Sequence, residues 1–131
     1  MILDGKGLVE ILRPQVNEID CATMNQRLKD NNDLLFIDIR EPNETAAGMA
    51  ENSEAVPRGV LEMKLNNLTS YQALTKKLAS AEEAPIYLMC RSGARSILAA
   101  ASLQQMGYKN VYSVAGGFLD WKAQGFAINN A

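Results

Sequence analysis

The residues able to do chemistry in this chain are concentrated in one loop, Cys90-Arg91-Ser92-Gly93-Ala94-Arg95-Ser96. The thiol ends an apolar strand pattern, Pro85-Ile86-Tyr87-Leu88-Met89, and the segment from Ser96 to Met106 reads as a helix that stops at Gly107. A cysteine between a buried strand and a helix N-terminus faces backbone N–H donors, and here Arg91 and Arg95 bracket it with positive charge. That setting favours the thiolate, the nucleophilic form of cysteine. The chain contains no histidine, so no imidazole can serve as a general base. Stabilisation must therefore come from the loop itself. Its amides from Arg91 to Ser96 are predicted to form a nest for an anionic sulfur atom, with the arginines drawing in an anionic substrate. Cys21 has no such surroundings and reads as a small buried hydrophobe rather than a resolving thiol.

The elements that must position this loop are legible from the apolar pattern. Leu34-Leu35-Phe36-Ile37 is apolar at every position, as expected of a parallel strand covered on both faces. The same texture returns at Ile86 to Met89 and, more weakly, at Val111 to Val114, with helical segments over 71–79 and 97–106 between the strand candidates. Val16 to Ile19 and Ala55-Val56-Pro57 can add two short strands, the latter at an edge that tolerates proline. Thr23 is the expected N-cap of a helix from Met24 to Lys29. The pattern predicts a three-layer α/β domain, with a central parallel sheet of about five strands flanked by helices. It spans residues 16–131, preceded over residues 1–15 by an N-terminal extension whose Leu8-Val9-Glu10-Ile11-Leu12 forms a docking helix ending before Pro14.

In open parallel sheets ligands bind beyond the carboxyl ends of the strands. That rule gathers Asp38 with Arg40, the Cys90 loop, and Ala115-Gly116-Gly117 on one surface. Asp38 and Arg40 are expected to orient the loop and its arginines rather than to touch substrate. Gly116 and Gly117 read equally as turn residues or as ligand contacts. Trp121, Phe118 and Phe126 fit a terminal-helix core, and Met63, Met89 and Met106 fit internal packing.

Composition narrows the function classes. With 47% hydrophobic and 21% charged residues in 131, one globular domain is expected. A net charge of −2 and a pI of about 5.1 leave no basic stripe for nucleic acid. No stretch approaches the ~18 apolar residues of a membrane span, and Met1 to Gly7 carries charges and glycines where a signal peptide needs an apolar run. The expected setting is cytoplasmic, without a membrane partner. Two cysteines and no histidine make neither a disulfide framework nor a Cys/His metal pattern, and no cofactor is expected.

Three motifs in order make the chain similar to the rhodanese-homology domain family, and most closely to its single-domain sulfurtransferases. The first is Phe36-Ile37-Asp38-Ile39-Arg40-Glu41-Pro42-Asn43-Glu44, the second Cys90 to Ser96 opening an alanine-rich helix, and the third Gly107-Tyr108-Lys109-Asn110-Val111 followed by Gly116-Gly117 and Trp121. The match runs over residues 16–128. One segment departs from the family, because Met49 stands where members commonly carry histidine, and Ala50 and Ser53 change neighbouring packing residues. The resemblance implies a rhodanese-like fold and sulfane-sulfur transfer. Cys90 would take sulfur from thiosulfate or a persulfide, held by Arg91, Ser92, Gly93, Ala94, Arg95 and Ser96, and pass it to a thiol or cyanide. Thioredoxin and glutathione are the physiological acceptors considered.

Two other readings use the same residues. Thiol-dependent phosphatases and arsenate reductases resemble Cys-x5-Arg, whereas the spacing here is Cys-x4-Arg, which suits one sulfur atom better than a tetrahedral oxyanion. Rhodanese-like domains also serve as non-catalytic interaction modules. Those are expected to lack the thiol or an intact loop, and this chain keeps both.

Overall fold

Strands that are apolar at every position need cover on both faces, and the fold supplies it. The structure, a computed structural model, describes residues 1–129; positions 130 and 131 of the expected domain lie outside the described residues. In chain order the elements are α1 (Gly5–Leu12), β1 (Asn17–Ile19), α2 (Cys21–Asp30), β2 (Leu35–Asp38), α3 (Pro42–Thr45), β3 (Met49–Ala50), β4 (Glu54–Ala55), α4 (Leu61–Lys64), α5 (Thr69–Thr75), β5 (Ile86–Met89), α6 (Arg95–Gln105), β6 (Val111–Val114), α7 (Gly117–Ala123) and β7 (Ile128–Asn129). Five strands form one sheet in the order β1-β6-β5-β2-β4, with every neighbouring pair parallel.

Alternation along the strands divides the core in two. Leu35, Ile37, Ile86, Leu88 and Val111 face a cluster built with Val9 of α1, Leu61 of α4, Leu74 of α5 and Ile97 and Leu103 of α6. Phe36, Tyr87, Met89 and Val114 face the opposite layer, where Cys21 and Met24 of α2 meet Trp121 of α7. This is the expected three-layer α/β architecture. Each large side chain fully buried in it contributes about 1.5–3 kcal/mol of transfer free energy.

Local signals were legible to within a few residues. The α2 N-cap is Asp20, not Thr23: the Asp20 carboxylate accepts from the Thr23 amide at 2.8 Å, so the helix starts three residues early with Thr23 inside its first turn. The edge strand β4 covers Glu54 and Ala55 and stops before Val56 and Pro57. The segment from 46 to 57 also holds an unexpected strand, β3, which pairs antiparallel with β7 near the C-terminus. Met89 is buried, but Met63 and Met106 are 77% and 49% exposed. Their apolar type suggested packing, yet each sits on the outward side of its segment. No helix among the described residues is long and apolar enough to cross a membrane.

Candidate active site

Cys90 directly follows β5, and the loop that begins with it runs into α6 at Arg95. At its centre Gly93 adopts φ +102, and a Cβ there would stand 3.3 Å from the Gly116 amide nitrogen, so both conformation and space call for glycine. This bend brings the Gly93 N–H to 3.1 Å from Cys90 Sγ, where it donates to the sulfur. Ser96 Oγ, on the first turn of α6, lies 3.4 Å from the same sulfur and 2.7 Å from Ser113 Oγ of β6. All three side chains are buried. Once the thiol is ionised it has no proton to give, so the Ser113 hydroxyl donates to Ser96, and the Ser96 hydroxyl donates to the sulfur. The N–H groups of Ser92, Ala94, Arg95 and Ser96 have no acceptor among the described residues and remain available as donors.

Behind the loop stands the turn after β6. Gly116 is left-handed at φ +81 and starts α7, and Gly117, at φ +55, lies where a Cβ would be 2.5 Å from the Cys90 carbonyl oxygen. The α7 amides of Phe118 and Leu119 then donate to the Cys90 and Arg91 carbonyls at 2.8 and 3.1 Å. Both glycines thus hold the loop's backbone. Asp38 and Arg40 act through the same route: buried Arg40 chelates Asp38 at 2.8–3.1 Å, donates to the Gly48 carbonyl at 2.8 Å and lies 4.1 Å over the Phe118 ring. They brace α7, which in turn braces the loop.

The two loop arginines have separate positions. Arg91 is exposed at the surface with Ser92 and Ala94. The Arg95 guanidinium turns to Glu44 of α3 and donates to both carboxylate oxygens, at 2.8 and 3.0 Å. Glu44 also accepts from the Glu41 amide at 3.0 Å, which closes the capping box of its own short helix. The bidentate pair pins the α6 N-terminus to the β2 side of the sheet.

Arg95's hydrogen bonds hold the Glu44 carboxyl down at about 2, against the opposing effect of burial. The Glu41 amide and the charges of Arg95 and Arg40 add to the lowering. Because the folded value is depressed, the clamp's stabilisation is full above the ordinary carboxylate value near 4.5 and is lost as pH falls through about 2. The urea stability gap between wild type and Glu44→Gln is therefore expected to be constant at neutral pH and less than half as large near about pH 3. A gap that keeps its neutral-pH size there would show that Glu44 does not titrate as part of the clamp.

The sequence names Cys90 and its loop as the candidate site, and the structure brings Ser113, Glu44 and Phe118, which were not among those candidates, to the same region. Ser113 carried a signal, a hydroxyl inside the otherwise apolar Val111-Tyr112-Ser113-Val114. Glu44 carried another, since Glu41-Pro42-Asn43-Glu44 has capping-box spacing. Nothing local indicated that Phe118 would stack on Arg40.

This parallel α/β domain, with one thiol at the head of a Cys-x4-Arg strand-to-helix loop, has the architecture of the rhodanese-like class. The rhodanese-like domain family model matches residues 21–124, and the chain belongs to that family. A sulfurtransferase from Allochromatium vinosum is 34% identical over 113 residues, covering 86% of this chain and 94% of its own. A thiosulfate sulfurtransferase GlpE from Pseudoalteromonas translucida is 34% identical over 96 residues, covering 73% and 80%. Among solved structures, a protein from Rhodopseudomonas palustris described as a possible tyrosine phosphatase superimposes with a TM-score of 0.81 at 26% identity, covering 98% of this chain and 96% of its own.

Proposed function

We propose that the protein transfers sulfane sulfur through a persulfide on Cys90, taking it from thiosulfate or a small persulfide and giving it to a thiol or cyanide. The observation that carries this reading is the Gly93 N–H at 3.1 Å from Cys90 Sγ, inside a loop whose other amides are unpaired. With thiosulfate, the Cys90 thiolate attacks the outer sulfur, a new S–S bond forms, and the donor's S–S bond breaks with its electron pair leaving on sulfite. An acceptor thiolate or cyanide then attacks the terminal sulfur and releases the Cys90 thiolate. Neither half needs a proton from the enzyme. The terminal persulfide sulfur carries the negative charge, and the amides of Ser92, Ala94, Arg95 and Ser96 suit it as donors. Ser96, backed by Ser113, steadies the inner sulfur.

Arg91, exposed and without an ion-pair partner among the described residues, is the loop cation placed to meet an anionic donor, while Arg95 is engaged with Glu44 and shapes the loop. Thioredoxin and glutathione remain the physiological acceptors proposed. The second reading, oxyanion hydrolysis, draws on the structural likeness to the R. palustris protein described as a possible phosphatase. The shorter Cys-x4-Arg ring and the Glu44-bound Arg95 favour sulfur transfer. Intact-protein mass measurement after incubation with thiosulfate decides between them. We expect a gain of one sulfur atom, removed by cyanide with release of thiocyanate. An unchanged mass with thiosulfate and with organic persulfides, alongside turnover of p-nitrophenyl phosphate, would sink the proposal.

A further inference from the structure

A buried hydroxyl is out of place on the α6 side of β6. Side chains alternate along the strand, so Ser113 shares its face with Val111 and pairs in register with Leu88 of β5, in the layer packed with Ile97 and Leu103. An apolar side chain would bring no polar group into that layer. Ser113 and Ser96 are both fully buried, and the 2.7 Å contact between their hydroxyls is the one side-chain hydrogen bond of Ser113 among the described residues. Ser96 Oγ has a second partner, Cys90 Sγ at 3.4 Å. Counting protons then fixes the direction. The pair carries two O–H hydrogens, and if Ser96 gave its own to Ser113, the Ser113 hydrogen would have no acceptor among the described residues. The complete arrangement runs from Ser113 to Ser96 to the sulfur, so the hydroxyl on β6 turns the hydroxyl on α6 toward Cys90.

We propose that Ser113 is a positioning residue for the discharge half of the reaction, holding the Ser96 hydroxyl on the inner sulfur where it stabilises the departing thiolate. The proposal rests on the sulfur-transfer reading above. As an acceptor thiolate or cyanide attacks the outer sulfur, the bond between outer and inner sulfur breaks and its electron pair stays on Cys90 Sγ. The acceptor carries the outer sulfur away, and no other co-reactant takes part. Negative charge builds on the inner sulfur during this step, so a hydrogen bond there strengthens towards the transition state and makes Cys90 the better leaving group. Loading runs the charge the other way. The attacking thiolate gives up its charge, so the same hydrogen bond weakens along the path and holds the nucleophile back. The Gly93 N–H at 3.1 Å acts on the same sulfur but is fixed by the loop backbone. The Ser96 hydroxyl is a rotor, and without Ser113 it can turn to a carbonyl of the preceding turn, as helical serines do.

The test measures the two half-reactions separately in the full chain, as second-order rate constants. Loading is read by sulfite released from thiosulfate, and discharge by thiocyanate formed when cyanide meets the preloaded protein. Both are taken at a pH where alkylation of Cys90 by iodoacetamide has reached its plateau in every variant, so that the thiol is ionised throughout. The ratio of discharge to loading should fall by about fivefold in Ser113→Ala and by about tenfold in Ser96→Ala. Because Ser113 acts through Ser96, the double variant should stay within about twofold of Ser96→Ala instead of showing the product of the two effects. Ser113→Thr keeps the hydroxyl on a residue suited to a strand, and it should recover the ratio to within about twofold of wild type. Deleting a merely structural hydroxyl would slow both halves together and leave the ratio unchanged. Wild-type protein that loads and discharges sulfur, with an unchanged ratio in Ser113→Ala, independent effects of the two serines or no recovery in Ser113→Thr, would overturn this inference alone. Wild-type protein that takes up no sulfur from thiosulfate or organic persulfides would overturn the sulfur-transfer reading and this inference with it.

Discussion

Cys90→Ser is expected to lose all sulfur transfer, a fall of at least ~10³-fold, while Cys21→Ser stays within about twofold of wild type. A serine hydroxyl at position 90 cannot hold a persulfide, so no partial route survives. Cys21 differs in its surroundings rather than in its type. It is fully buried and donates to the Gly117 carbonyl at 3.4 Å. Burial, with the charges of Asp120 and Asp20 in support, pushes its thiol up to about 12, so it stays protonated at neutral pH. Serine can make the same donation, and the change should cost only modest stability. Peptide mapping after thiosulfate loading supplies the check. A persulfide on Cys21, or measurable turnover in a folded Cys90→Ser protein, would remove the central claim.

Inserting one glycine between Ala94 and Arg95 should cut sulfur transfer by about 10²–10³-fold, the usual cost of losing a positioned N–H donor. The physical reason is ring size. The loop spans from β5 to α6 with Gly93 bent so that its N–H meets the sulfur, and the α6 end is pinned by Arg95 on Glu44. An extra residue must either release that clamp or swing the Gly93 N–H off the sulfur. It also recreates Cys-x5-Arg and widens the amide ring towards the size of a tetrahedral oxyanion. Vanadate protection of Cys90 against iodoacetamide should therefore be tighter in the insertion variant. Equal or tighter protection in wild type would show that loop length is not what disfavours phosphate. Hydrolysis itself should remain weak, because lengthening the ring supplies no general acid.

Glu44 and Ser113 mark where reading along the chain stops being informative. The candidate nucleophile and its loop are a continuous stretch, Cys90 to Ser96, whose strand-before and helix-after pattern is local and therefore visible in the amino-acid order. The parallel sheet was visible for a similar reason, since strands buried on both faces are built from apolar residues, as β5 is throughout and β2 is up to Asp38 at its end. The short pairing of β3 with β7 was hidden. It joins Met49 to Asn129 across most of the chain and involves two residues on each side, too few for a periodic signal.

What the sequence determined by itself was the chemistry: one thiol in a loop able to surround it with amides, no imidazole to assist, and an α/β frame to hold both. Only the tertiary structure decided which partner each side chain serves. Arg95 is a cation beside the thiol in the sequence, but folding brings Glu44 from 51 positions away to take up its guanidinium. Arg91, one residue after the thiol, stays at the surface. Ser113 reaches Ser96 only because β6 lies next to β5 in the sheet, and α1 packs beside α6 only because Val9 docks in the same core as Ile97 and Leu103. These are contacts between segments distant in sequence, set by strand order and by which face of each helix is apolar. Residue spacing encodes neither until the sheet has closed.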